Sequence, residues 1–272
     1  MTFPLPSAGK GRAVAALAVC LTLTAPALWA QSFDAVRIFR GAGNQDGGSV
    51  ALAVIAAPEY AGSDELRTQV LPGFDYQWAN GWFVGLTNGL GYDFSKRPDM
   101  QYGLRLTFNR GRDQDLSSAL RGMGDVDFKP EVGAFYNYFA SPQVFLTSSL
   151  RYGAGNGGKG LVLDLGAGWS TQLAAQWRMV LGGAVTAVNA DYMQSFFGVT
   201  PKQSAASGYT VYMPSAGVRD LRANFSLNYF INRELTLTGA LSVSALQGDA
   251  KSSPLTRQAT STSGVLALSY SF

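Results

Sequence analysis

Residues 264–272 read Gly-Val-Leu-Ala-Leu-Ser-Tyr-Ser-Phe. In an extended chain successive side chains point to opposite faces, so Gly264, Leu266, Leu268, Tyr270 and Phe272 share one face and Val265, Ala267, Ser269 and Ser271 the other. The first face is large, apolar and increasingly aromatic. The second is small and partly polar. A strand built this way wants an apolar surrounding on one side and tolerates water on the other.

The same alternation recurs upstream. Tyr102, Leu104, Leu106 and Phe108 oppose Gln101, Gly103, Arg105, Thr107 and Asn109, and Trp82, Val84, Leu86, Leu90 and Tyr92 oppose Gly85, Thr87, Gly89, Gly91 and Asp93. Shorter ladders run through Val144–Tyr152, Leu161–Trp169, Phe225–Tyr229 and Leu235–Val243. A soluble β-sandwich would also alternate, but composition argues for lipid. Only 14% of residues are charged while 47% are hydrophobic, against roughly 25% charged in ordinary soluble domains. Beyond the N-terminus no stretch nears the roughly 20 consecutive apolar residues of a membrane-spanning helix, so strands must do the spanning.

Aromatic residues such as Trp78, Trp82, Tyr92, Tyr138, Tyr152, Trp169 and Trp177 sit near ladder ends, where amphipathic rings rest at the headgroup level. Connections alternate between tight (79–81, 140–142, 173–175, 232–233) and long (191–217, 247–262), the habit of outer-membrane barrels. We therefore expect an all-β fold, a single transmembrane antiparallel β-barrel over residues 49–272. Eleven ladders can be counted, whereas single-chain bacterial barrels have an even number of strands. The expectation is 12 strands, with 10 as the alternative. The missing strand is sought in 111–125, or else 79–81 is an outer hairpin.

Lys10 and Arg12 precede an apolar run and the small residue Ala30, the pattern of a secretory signal peptide over residues 1–30. Residues 31–48, rich in Gly with Asn44, Gln45 and Asp46, read as a flexible periplasmic lead-in. Cleavage after Ala30 removes Cys20, the one cysteine, and leaves the mature chain close to neutral. Its Arg and Lys residues are scattered, without the concentrated basic footprint of a nucleic-acid binder. His is absent, which removes the commonest general base and metal ligand. No catalytic, cofactor or metal site is expected.

Two segments invite chemistry. Gly153–Gly160 matches a phosphate-binding loop up to Lys159, but Gly160 stands where a magnesium-ligating hydroxyl belongs. Asp113, Asp115, Asp125 and Asp127 lie near Arg110, Arg112 and Arg121 and read as a solvated, self-paired loop. If the ladders are phased as above, Arg105, Arg151, Arg178 and Arg222 face the lumen with Asp164 and Glu234. Paired, they brace a small barrel; unpaired, they favour anions in a pore.

Four segments carry a resemblance. Pro58, Glu59, Tyr60, Gly62, Ser63 and Asp64 resemble the PEYxGSD segment of the MltA-interacting protein (MipA)/OmpV family of outer-membrane proteins. Leu120, Arg121, Gly122, Met123, Gly124 and Asp125 resemble its ALRGxGD stretch. Phe197, Gly198, Val199, Thr200, Gln203, Ser204, Ala205, Ser207 and Gly208 resemble its YFGVTxxQSAxSG loop, with Phe197 in place of Tyr. Leu246, Gly248, Asp249, Ala250, Ser253 and Pro254 resemble its LxGDAxxSP loop. Residues 264–272 also resemble the terminal signal taken up by the barrel assembly machinery.

The resemblance implies a non-enzymatic barrel in the cell outer membrane of a Gram-negative bacterium, exported through the periplasm and surrounded by lipid and lipopolysaccharide. One branch of the family is described as a scaffold linking a lytic transglycosylase to a peptidoglycan synthase, another as porin-like or adhesive. A scaffold for peptidoglycan (murein) enzymes is the first expectation; a porin-like passive channel for small solutes or an adhesin is the alternative.

Overall fold

The structure is a computed structural model in which residues 46–272 are described. The expected signal peptide and residues 31–45 of the lead-in lie outside the described residues. A closed barrel of 12 antiparallel strands occupies the rest, every strand paired with its sequence neighbours and the last with the first. The strands are β1 (Gly47–Pro58), β2 (Leu66–Gln77), β3 (Trp82–Gly85), β4 (Gly89–Asp93), β5 (Met100–Asn109), β6 (Lys129–Phe139), β7 (Val144–Ala154), β8 (Gly160–Ala174), β9 (Trp177–Val188), β10 (Gly217–Phe230), β11 (Leu235–Leu246) and β12 (Thr260–Ser271). Gly47 and Gly48, assigned to the lead-in from sequence, are already strand, paired with Gln77 and Tyr76.

The terminal strand closes the barrel. Ser49 to Ala56 pair with Ser271 to Gly264, and Gly48 and Phe272 exchange backbone hydrogen bonds of 2.9 and 3.0 Å. Pairing β12 with β1 joins the first and last strands, whose N–H and C=O groups hydrocarbon could not satisfy. Leu266, Leu268, Tyr270 and Phe272 point outward, as do Leu52, Leu104, Leu150 and Leu241. This exposed apolar surface is the lipid face. At the end carrying the short connections a girdle of rings surrounds it, with Trp82 edge-on to Tyr92 at 5.4 Å and Trp177 against Tyr229 at 4.7 Å. Short turns mark that end as periplasmic and the long connections mark the other as outer.

The twelfth strand is not where the sequence suggested. Residues 111–125 hold only an isolated Arg112–Val126 bridge and two 3-10 turns, and 79–81 is an ordinary periplasmic turn. Instead, the ladder from Trp82 to Tyr92 is two strands folded back on themselves. The hairpin centres on Thr87 and pairs Gly85 with Gly89, Val84 with Leu90 and Trp82 with Tyr92. Even residues thus pair with even ones, so the alternation passes through the turn unbroken. Gly89, at φ 73°, supplies the left-handed conformation the turn needs.

Between the outer connections lie three short helices: α1 (Ala190–Phe197), α2 (Pro201–Ser207) and α3 (Gly248–Lys251). Most fully buried apolar side chains, among them Leu120, Phe197, Met193, Val199 and Leu255, belong to these connections and not to the barrel wall.

Candidate functional site: a capped lumen

Beneath the outer loops the lumen is crossed by a layer of buried charges. Asp164 on β8 accepts from Arg151 at 2.7 Å, from Arg222 at 2.9 Å and from Thr186 at 2.7 Å. Arg151 also faces Glu131 at 3.4 Å, and Glu131 accepts from Thr107. Arg222 lies 3.2 Å from Asp220, which in turn pairs with Arg219. Arg105 donates to Ser149 at 2.7 Å. Charges taken from water on this scale persist only when paired and hydrogen-bonded.

Of the six lumen charges read from sequence, Arg105, Arg151, Asp164 and Arg222 come together here. Arg178 stands at the periplasmic end, exposed, with its guanidinium 5.4 Å from the Phe230 ring. Glu234 lies in the exposed β10–β11 turn. Glu131, Arg219, Asp220 and Thr186 were not anticipated. Glu131 follows the alternation of β6 and was legible. Arg219 and Asp220 are consecutive, so alternation assigns them opposite faces, yet both are buried. A bulge between Val218 and Asp220 turns both inward.

The four motif segments, far apart in sequence, meet above this layer. Tyr60 donates to the Leu255 carbonyl at 3.0 Å, and the Gly62 carbonyl accepts from the backbone of Arg257 and Gln258. Ser63 accepts from Glu65 N–H, while Asp64 is exposed beside it. Gly122, at φ 83°, packs directly on the Ala206 backbone, where any side chain would clash. Gln203 reaches the Met123 carbonyl at 2.6 Å, and Ser253 reaches the Phe197 carbonyl at 2.6 Å. Asp249 accepts from Ser215 N–H, and its carbonyl accepts from Tyr212. Arg121 is exposed.

Helix α2 explains its motif outright. Thr200 and Gln203 form a capping box, Pro201 occupies the first turn, and Gly208 ends the helix in the left-handed region at φ 82°. Helix α1 is pinned downward: Tyr192 accepts from Arg219 of the charged layer at 2.6 Å, and the Phe196 carbonyl accepts from Arg112 at 2.6 Å. Burial pushes the Tyr60 phenol up to about 12 and lowers Arg112 to about 10, because desolvation disfavours the charged form of each.

The Asp cluster serves the same loop. Asp113 accepts from Asp115 N–H, Asp125 from Gln114 N–H, and Asp127 sits 3.6 Å from Lys129. Among the described residues no group of three or more acidic, His or Cys side chains is placed to hold a metal. The glycine loop after β7 is a hairpin whose Asn156 braces Asp127 and Asp125.

Spaces beneath the cap are small, about 40 Å³ beside Tyr60 and Asp220 and about 30 Å³ beside Arg151 and Arg219. Below the charged layer the lumen widens into a vestibule of about 490 Å³. Gly47, Ser49, Gln77, Phe83, Asn228, Thr238 and Phe272 are among its walls, and its rim is the periplasmic end of the barrel.

These features define a 12-stranded outer-membrane β-barrel, capped at its outer mouth and hollow at its periplasmic one. Within that class the chain belongs to the MltA-interacting protein MipA family, whose sequence profile matches residues 50–272. Among solved structures it is similar to the KdgM porin in complex with disordered oligogalacturonate, at 8% identity and TM-score 0.47, covering 82% of this chain and 99% of that one. It is also similar to the NanC porin, at 11% identity and TM-score 0.45 over 80% and 98% of the two chains. An outer-membrane channel from Pseudomonas putida F1 matches at 12% identity and TM-score 0.46 over 88% and 97%. Comparison with curated proteins yields no match.

Proposed function

We propose that the protein is a non-enzymatic anchor in the outer membrane that docks a murein-processing enzyme of the periplasm at its periplasmic mouth. The observation that carries this reading is the asymmetry of the lumen. The outer mouth is covered by interlocked loops over a paired charge layer, while the one large space among those described opens toward the periplasm. A barrel arranged this way presents its accessible concavity to partners inside the cell envelope. The family description, MltA-interacting protein, agrees in naming an interaction, with a lytic transglycosylase as the partner. A peptidoglycan synthase bound at the same time would make the barrel a scaffold.

The periplasmic turns are short, whereas a stable interface covers about 800 Å² on each partner. β1 begins at this same rim, and we take the residues before it, 31–45, to contribute to docking. The mature protein, reconstituted in detergent, is expected to bind a lytic transglycosylase in solution and to lose most of that affinity without residues 31–45. In planar bilayers the same preparation is expected to stay silent. Absence of binding, combined with regular conductance steps from folded protein, would replace this reading by that of a passive pore.

A further inference from the structure

The barrel wall is incomplete on one side. Strands β3 and β4 are only 4 and 5 residues long. They pair with β2 at Asp75–Gln77 and with β5 at Gly103–Leu106, and then turn back. The outer half of β2 therefore continues without a neighbour on that edge. The Phe74 carbonyl is the last to be used, accepting from Leu86 at 2.9 Å. Alternate residues of an antiparallel strand send their backbone groups to the same neighbour. Leu66, Thr68, Val70 and Pro72 thus aim theirs into the gap. Pro72 has no N–H to leave unpaired, the usual place for proline in a sheet.

Across the gap stands Phe108 of β5, stacked on Phe128 at 5.0 Å. Two missing strands leave roughly 14 Å between β2 and β5, at the ordinary strand spacing. The β3–β4 turn forms the sill. The β5–β6 loop forms the lintel, where Ser117 donates to Glu65 at 3.1 Å.

The outer border of this opening is apolar, with Val70, Phe74, Leu86, Leu106 and Phe108 exposed. Its inner border is polar: both side-chain atoms of the Gln69 carboxamide are buried and lack a hydrogen-bond partner. Gly73, Asp75 and Asn88 at the sill are also walls of the vestibule. We propose that this gap is a side port through which a bilayer-borne amphipath with an uncharged hydrogen-bonding head group reaches the lumen.

Two features select that occupant. Unpaired backbone N–H and C=O groups are costly against hydrocarbon, so the occupant must bring both donors and acceptors, as hydroxyls or amides do. Between Thr68 and Phe74 β2 carries no ionisable side chain, and the one carboxylate at the sill, Asp75, already accepts from Asn88, so the strand edge itself selects no charged head. An added β-strand from another chain fits poorly, because sill and lintel close both ends and Pro72 interrupts the row of donors. The port does not depend on docking at the periplasmic mouth.

The test uses the full chain with Cys20→Ala, so that an introduced thiol is the only one. Gln69→Cys is compared with Asn224→Cys, which is inward-facing on β10 with paired strands on both sides. Both are reconstituted in liposomes, checked for folding by heat-modifiable migration, and exposed to a dodecyl maleimide dissolved in the bilayer or to a sulfonated maleimide in the water. The lipid-borne rate, divided by the aqueous rate, is expected to be at least tenfold higher at Gln69→Cys. Monododecanoylglycerol in the bilayer is expected to slow that labelling at least threefold, and dodecyltrimethylammonium to leave it unchanged. Leu71→Cys, also inward on β2, replaces Gln69→Cys if the latter fails to fold.

Equal ratios at the two sites would overturn the port. Equal protection by the cationic amphipath would overturn the choice of head group. Disulfide-linked dimers through Thr68→Cys would assign the edge to a second copy and overturn the proposal as well.

Discussion

Asp164 holds two guanidiniums and one hydroxyl in a layer where all of them are buried. Replacing it with Ala leaves Arg151 and Arg222 without their shared carboxylate. Removing one partner from a buried ion pair costs about 3–5 kcal/mol, and Asp164→Ala is expected to lower the unfolding free energy, read from urea titration of the barrel in lipid vesicles, by that amount. A change below about 1 kcal/mol, the size of a surface pair, would show the layer to be solvated.

Tyr60 tests the cap instead. Its phenol lies at about 12 in the folded state, against 10.0 for an ordinary tyrosine, chiefly through burial. A group whose folded pKa is raised contributes stability that is complete below pH 10 and lost as the pH passes through 12. Burial also raises Tyr192 and Tyr212, so phenolate absorbance at alkaline pH is expected to show several late-ionising tyrosines, of which Tyr60→Phe removes one. Loosening of the cap, read as protease cleavage at 59–65, should follow the same titration.

At the scale of elements, the strands and most of the lumen charges were legible because alternation records which face a residue occupies. The β3–β4 hairpin was not. Its symmetry about Thr87 preserves the alternation, and the signs of a turn, Gly85 and Gly89, blend into a chain where Gly is common. The Val218–Asp220 bulge hid Arg219 and Asp220 for the converse reason: it breaks the rule locally. The four motifs could be recognised as loops, but their meeting in one cap depends on barrel closure, which no local pattern encodes.

Gly89 offers a test at this level. A Cβ there would lie 2.0 Å from the Leu106 carbonyl oxygen, on a backbone at φ 73°. Gly89→Val should therefore destabilise the barrel by about 1–3 kcal/mol. Gly239→Ala, where a Cβ meets nothing within 4 Å, should be nearly neutral. Equal urea midpoints for the two variants would mean that residues 82–93 form a single strand.

The whole molecule depends on the strand that closes it. Phe272 exchanges both backbone hydrogen bonds with Gly48, and its ring packs 6.3 Å from that of Tyr76 on β2 and 6.4 Å from that of Tyr270. Deleting it removes the last pairing of β12 with β1 at the rim of the vestibule and takes one ring from the periplasmic girdle. Since β1 and β12 are the most distant strands in sequence, their pairing carries the largest loop-closure entropy and gains most from each added contact. The terminal aromatic is also the residue that resembles the assembly signal. Deletion of Phe272 is therefore expected to reduce the heat-modifiable form recovered from outer membranes more than it shifts the urea midpoint of purified, refolded barrel. Normal recovery in the membrane would remove the terminal ring from any part in assembly. Matched losses in both measurements would assign it to closure alone.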